Sequence, residues 1–194
     1  MVKYLDPESD FSVPRRRKRN PDLAARRQKN TQLPREEALE AAREAALRVL
    51  DRAAASSGQI REKLTKAGFH SEVAEEIVTR FCEVGLLDDR EYAAMLVRTR
   101  FRERGLVGRA LVQELNRKGI APNLQQEALA QITPEQEAES AQLLAEKKAR
   151  SLKNATYPQA MRRIAAFLAR KGYSPVQCRT ATTAALADRG SETA

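Results

Sequence analysis

The stretch Ile60-Arg61-Glu62-Lys63-Leu64-Thr65-Lys66-Ala67-Gly68-Phe69 returns twice in altered form. It returns as Leu111-Val112-Gln113-Glu114-Leu115-Asn116-Arg117-Lys118-Gly119-Ile120 and as Ile164-Ala165-Ala166-Phe167-Leu168-Ala169-Arg170-Lys171-Gly172-Tyr173. Apolar residues stand eight and four positions before each glycine, a basic residue stands two before it, and a large apolar residue follows. The glycines lie 51 and 53 residues apart, and Ser71, Pro122 and Pro175 come three positions after them. Physically this is a helix ending in a corner. The i, i+4 pair packs inward. The glycine takes the left-handed conformation that stops the helix. The next residue plugs the corner, and Ser or Pro opens another helix.

Outward from the corners, the chain from Pro34 onward is rich in Ala, Leu, Glu, Arg and Gln, all good helix formers, and lacks strand-like alternation. In 71–85, Val73, Ile77, Phe81 and Val84 form one stripe, with Glu72, Glu75, Glu76, Thr79, Arg80 and Glu83 beside or behind it. Cys82 sits at the stripe's margin and reads as a small buried residue. Asp88 with Glu91, and Thr133-Pro134 with Gln136, read as capping boxes, and Pro34 fits a first helical turn. Nine helices are expected, at about 35–54, 58–67, 71–85, 89–104, 108–118, 122–131, 134–153, 158–171 and 175–188. The expected fold is all-α: three tandem three-helix repeats (35–86, 88–132 and 133–188) in an elongated, curved array with helix-turn-helix-like corners. Such a row offers a long surface to a long partner.

Composition narrows the function classes. The chain has 194 residues, with 35 Lys+Arg against 26 Asp+Glu. One histidine and two cysteines cannot close a four-ligand zinc site. Cys82 and Cys178 do not make a disulfide framework, so a reducing compartment is expected. No apolar run is long enough for a membrane span, and the N-terminus does not read as a signal peptide. Residues 1–34 carry nine basic and four acidic residues, the run Arg15-Arg16-Arg17-Lys18-Arg19, and Pro7, Pro14 and Pro21. They read as a disordered basic arm, either a nucleic-acid tether or a solubilising tail. Residues 189–194 read as a disordered tail. There is no Walker A pattern, no nucleophile motif and no paired acids outside caps, so neither an enzyme nor a cofactor is expected. Gly105-Leu106-Val107-Gly108 has the form of a nucleic-acid-binding GxxG loop but reads as a turn between helices. His70 reads as a surface or capping residue, and Asp88-Asp89 as a helix cap.

A family resemblance appears at Ala46-Leu47-Arg48-Val49-Leu50, Gln59-Ile60-Arg61-Glu62-Lys63-Leu64 and Lys66-Ala67-Gly68-Phe69. It sharpens at Glu83-Val84-Gly85-Leu86-Leu87-Asp88-Asp89, with Tyr92-Ala93 beyond. It runs on through Val97-Arg98-Thr99-Arg100, Arg104-Gly105-Leu106-Val107-Gly108, Gln113-Glu114-Leu115, Arg117-Lys118-Gly119-Ile120 and Ala169-Arg170-Lys171-Gly172-Tyr173. In this order the set resembles the RecX regulatory proteins over about 46–186. The chain departs from them at Ala53-Ala54-Ala55, where a basic stretch is more usual. The resemblance implies a cytoplasmic regulator of the RecA recombinase. Such a protein would bind the RecA–DNA filament along its groove and restrain recombinase, ATPase and coprotease activities, the last belonging to the SOS response. The alternative is a direct DNA-binding protein using its corners as recognition motifs. That reading leaves unexplained why the helix over 71–85 carries four Glu.

Candidate partner or DNA contacts follow from charge. Residues 98–118 hold Arg98, Arg100, Arg102, Arg104, Arg109, Arg117 and Lys118 against Glu103 and Glu114. At about 100° per residue, Arg98 and Arg102 share one helix face, and Arg100 and Arg104 another. One phosphate track cannot take both rows, so one row faces a partner while the other pairs with acids or lies in solvent. Arg162, Arg163, Arg170 and Lys171 form a second strip. For residues that end helices, favourable pairing with the helix dipole is the competing explanation. With no heptad seam, a monomer is expected.

Overall fold

The structure, a computed structural model, describes residues 21–187. The expectations for the Arg15–Arg19 run and for the 189–194 tail lie outside the described residues. Ten helices run through them: α1 (Pro21–Thr31), α2 (Arg35–Leu50), α3 (Ser57–Lys66), α4 (Ser71–Glu83), α5 (Asp89–Arg104), α6 (Gly108–Arg117), α7 (Pro122–Leu129), α8 (Pro134–Arg150), α9 (Tyr157–Lys171) and α10 (Pro175–Ala185). Among the described residues every regular element is a helix, as their helix-former content requires.

Each corner closes in the same way. The amides of Phe69, Ile120 and Tyr173 donate to the carbonyls of Leu64, Leu115 and Leu168, and those of Gly68, Gly119 and Gly172 to Thr65, Asn116 and Ala169. These paired bonds are the Schellman motif, which needs a left-handed residue; the three glycines have φ of 98°, 71° and 101°. The apolar residues eight and four before each glycine are all buried, and Phe69, Ile120 and Tyr173 plug the corners.

Around each corner the same three helices pack together: α2, α3 and α4; then α5, α6 and α7; then α8, α9 and α10. Three apolar clusters result, one per unit, rather than one shared core. The buried residues that the long helices of units one and three bring to them are alanines, Ala38-Ala42-Ala46 and Ala141-Ala145-Ala149, flanked by half-buried Leu39, Leu47 and Leu144. Val107 crosses from unit two into the third cluster, with Phe101 beside it.

The units meet at their corner glycines. The carbonyl before Gly119 (Lys118 O) accepts from Ser56 Oγ of unit one. The carbonyl before Gly172 (Lys171 O) accepts from the Val107 amide of unit two at 2.9 Å. The first joint is polar: Ser57 N and Oγ reach Asp89 at 2.8 and 2.5 Å, and Tyr92 OH donates to Gln59 at 2.9 Å. Ser56 does two things at once. It is fully buried, and with Gln59 it forms a closed capping box on α3 while holding Lys118 O. Ser56→Ala is expected to cost about 2 kcal/mol in urea unfolding, combining a lost cap with an unpaired, partly buried carbonyl.

Several expectations need correction. Residues 21–31 of the expected disordered arm form α1, because Asn30 and Thr31 find acceptors on the first corner: Asn30 Nδ2 donates to Ala67 O at 2.8 Å, and Thr31 Oγ1 to Gly68 O at 2.9 Å. The helix expected over 71–85 stops at Glu83, so Val84 leaves the stripe and is 70% exposed. Cys82 is exposed rather than buried, since Val78 and Phe81 take the inward positions. Asp88 caps α5 by accepting from the Arg90 and Glu91 amides, without a reciprocal bond from Glu91; the Thr133–Gln136 box is closed. His70 is an exposed N-cap residue whose ring meets Thr31 O at 3.1 Å. Gly105–Gly108 joins α5 to α6.

Candidate cationic interaction surface

Charge is graded along the row. Residues 35–86 hold eight basic and ten acidic residues, 88–132 eight and six, and 133–188 nine and five. From Lys147 to Ala187 there are nine cations and no acid.

Pairing sharpens this gradient. Among the described residues, six of the eight ion pairs lie in unit one. Glu76 of α4 takes Arg35 at 2.6 Å and Arg80 at 2.5 Å, and Glu75 takes Arg61 at 2.5 Å. The Arg61 guanidinium holds the Glu75 carboxyl below its ordinary range, so that acid is ionised. Exposed pairs of this kind add little stability, but they leave unit one few cations to offer a partner.

In unit two the structure chooses between the arginine rows. Arg100 turns toward α6 and meets Glu114 at 2.6 Å, with both side chains largely covered. Arg98 is exposed and donates only to the neutral amide of Gln131 at 3.3 Å; Arg102 and Arg104 are exposed. Arg117 is exposed, with Nε on the Gln113 carbonyl at 3.3 Å. The Lys118 carbonyl belongs to the first joint. Arg109 is exposed on α6 and lines a groove of about 400 Å³ with Cys178 and Arg179 of α10.

In unit three Arg162, Arg163 and Arg170 are exposed. Lys171 is committed inside the protein: its ammonium donates to Arg104 O and sits 5.0 Å from the Phe167 ring centre. Burial, then Arg104 and Lys147, push its pKa down. At the far end of the row Arg163 joins Arg150 and Lys153 around a groove of about 520 Å³ that Asn154 and Gln159 also line. Local clustering did not mark Lys147, Lys148, Arg150, Lys153 or Arg179; the signal for them was the long absence of acids. Among the described residues, no group of three His, Cys, Asp or Glu could hold a metal, and no helix is long and apolar enough to cross a membrane.

Models of the RecX first, second and third three-helix domains match residues 42–81, 88–129 and 135–182. The chain belongs to the RecX family. A regulatory protein RecX of Streptomyces coelicolor is 38% identical over 82% of this chain and 85% of its own length. That of Amycolatopsis mediterranei is 33% identical over 83% and 92%. The crystal structure of RecX from Lactobacillus salivarius matches with a TM-score of 0.68 at 25% identity, covering 76% of this chain and 96% of its own. A second crystal structure, of regulatory protein RecX, gives 0.68 at 29% identity, covering 72% and 70%. In this RecX-family chain the three matched domains carry the three Schellman corners.

Proposed function

We propose that this chain is a non-enzymatic cytoplasmic regulator that lies, as a monomer, along the groove of a RecA–DNA filament and restrains its recombinase, ATPase and coprotease activities. The reading rests on membership of the RecX family, and one observation carries it further. Three copies of one unit stand in a row, and the unpaired cations collect on the second and third. A row of weak contacts on a semi-rigid body gains by effective concentration against a repetitive target. Acidic protein surface and the DNA within a filament both answer to that charge.

Direct DNA reading through the corners has less support. The helix after the first corner, α4, exposes Glu72, Glu75 and Glu83, and its Arg80 is tied to Glu76. The test is co-sedimentation of purified protein with recombinase filaments and with bare single- and double-stranded DNA at two salt concentrations, with filament ATPase recorded alongside. Filament-dependent binding with a slowed ATPase is expected; equal retention on bare DNA and an unchanged ATPase would replace the reading with the DNA-binding one. Reversing Arg98 and Arg102 to Glu should weaken filament binding about tenfold and flatten its salt dependence; unchanged binding removes that row.

A further inference from the structure

A rule connects the joints of the array. The carbonyl preceding each corner glycine accepts one hydrogen bond from the element before it: Lys118 O from Ser56 Oγ, and Lys171 O from the Val107 amide. The glycine itself lies against the start of the preceding corner helix. A Cβ on Gly119 would meet Gly58 Cα at 3.0 Å, and one on Gly172 would meet Val107 O at 1.9 Å. No three-helix unit precedes unit one among the described residues, yet its corner carbonyl obeys the same rule. Ala67 O accepts from Asn30 Nδ2 at 2.8 Å, and a Cβ on Gly68 would lie 2.4 Å from Arg27 O. The element seated there is α1. At the other end, α9 begins a full turn earlier relative to Ile164 than α6 does relative to Leu111. Its own first turn therefore stands where a further corner would dock.

We propose that α1 is a surrogate unit that plugs the open first corner, and that by docking there it gives unit one a phosphate-backbone contact in Arg26 and Lys29. An eleven-residue helix is not stable alone in water, so the joint is what holds it. Arg26 and Lys29, three positions apart on one helix face, are exposed and, among the described residues, make no ion pair. They sit on a unit with more acids than bases, whose own arginines are largely tied to carboxylates. The run Arg15–Arg19 also precedes α1 in the chain, and each cation that meets a phosphate releases counterions. Only the choice of phosphate leans on the filament reading above; the docking stands without it.

The test uses the full-length protein without recombinase, so its outcome is separate from that of filament binding. Hydrogen exchange is followed for the amides of 24–31 in the native chain and in Asn30→Ala/Thr31→Ala. Binding of a fluorescent oligothymidylate is titrated against salt, with poly-glutamate as a second probe. Expected are protection of α1 that the double variant abolishes while 57–66 stays protected, and a roughly threefold weaker oligothymidylate affinity from the loss of positioning. Arg26→Glu/Lys29→Glu should keep its protection, weaken affinity about fivefold and flatten the salt slope. If α1 exchanges as fast in the native chain as in the double variant, the plug is wrong. Protection lost with affinity unchanged removes the contact role. If poly-glutamate shows the same dependence on the two cations, an acidic protein surface replaces phosphate as partner.

Discussion

Gly172→Ala should destabilise the protein by about 2–5 kcal/mol, whereas Gly85→Ala should cost only about 1–2 kcal/mol. Both residues have positive φ, 101° and 74°. Both substitutions therefore pay the left-handed penalty of an L side chain. Their surroundings differ. A Cβ on Gly85 meets nothing within 4 Å. On Gly172 it would fall 1.9 Å from Val107 O and 2.9 Å from the Ala110 amide nitrogen. Both atoms are backbone, so relief comes only by prising α9 from α6. That also breaks the bond from the Val107 amide to Lys171 O and withdraws Val107 from the third cluster. Urea unfolding of the two variants side by side isolates the joint from the conformational term; equal losses would mean that the joint contributes nothing.

Reversing Arg150, Lys153 and Arg163 together to Glu should weaken binding to recombinase filaments by at least about tenfold at low salt, while unfolding stability stays within about 1 kcal/mol. The three line one groove at the end of the row and, among the described residues, have no acidic partner. Reversal therefore changes the charge offered outward without stranding an internal carboxylate. The matched control is Arg61→Glu/Arg80→Glu in unit one. Those arginines are already tied to Glu75 and Glu76, so the control should lose stability while moving filament affinity less than the triple variant. Co-sedimentation of both variants across salt concentrations decides; an equal loss of affinity would spread the contact over the whole row.

How much was legible in the sequence followed how far each determinant reaches along the chain. The corners were legible because a Schellman motif is complete within six residues: Leu64, Thr65, Gly68 and Phe69 hold the whole device. The capping box at Thr133–Gln136 spans four residues and was equally plain. The exposure of Val84 and Cys82 was not legible, because the stripe gives a face but not the residue at which α4 stops. Nor was the partition of cations. Arg100 is spent on Glu114, 14 residues away, and Arg35 on Glu76, 41 away. Before folding each is simply one more basic residue. The acid-free run from Lys147 to Ala187 lay open in the sequence, but it is an absence and does not stand out as a cluster does.

By itself, then, the sequence determined that the protein is helical, that it turns three equivalent corners, and that bases outnumber acids toward its C-terminal end. All of these depend on residues within a turn or two of one another, or on composition. The tertiary structure alone decided that α1 is part of the fold, that the units join glycine to backbone, and which arginines remain exposed and unpaired. Each depends on groups brought together from tens of residues apart: Asn30 on Ala67 O, Ser56 on Lys118 O, Arg35 on Glu76. Hydrogen bonds and ion pairs act over a few ångströms, and only packing brings such groups within that range.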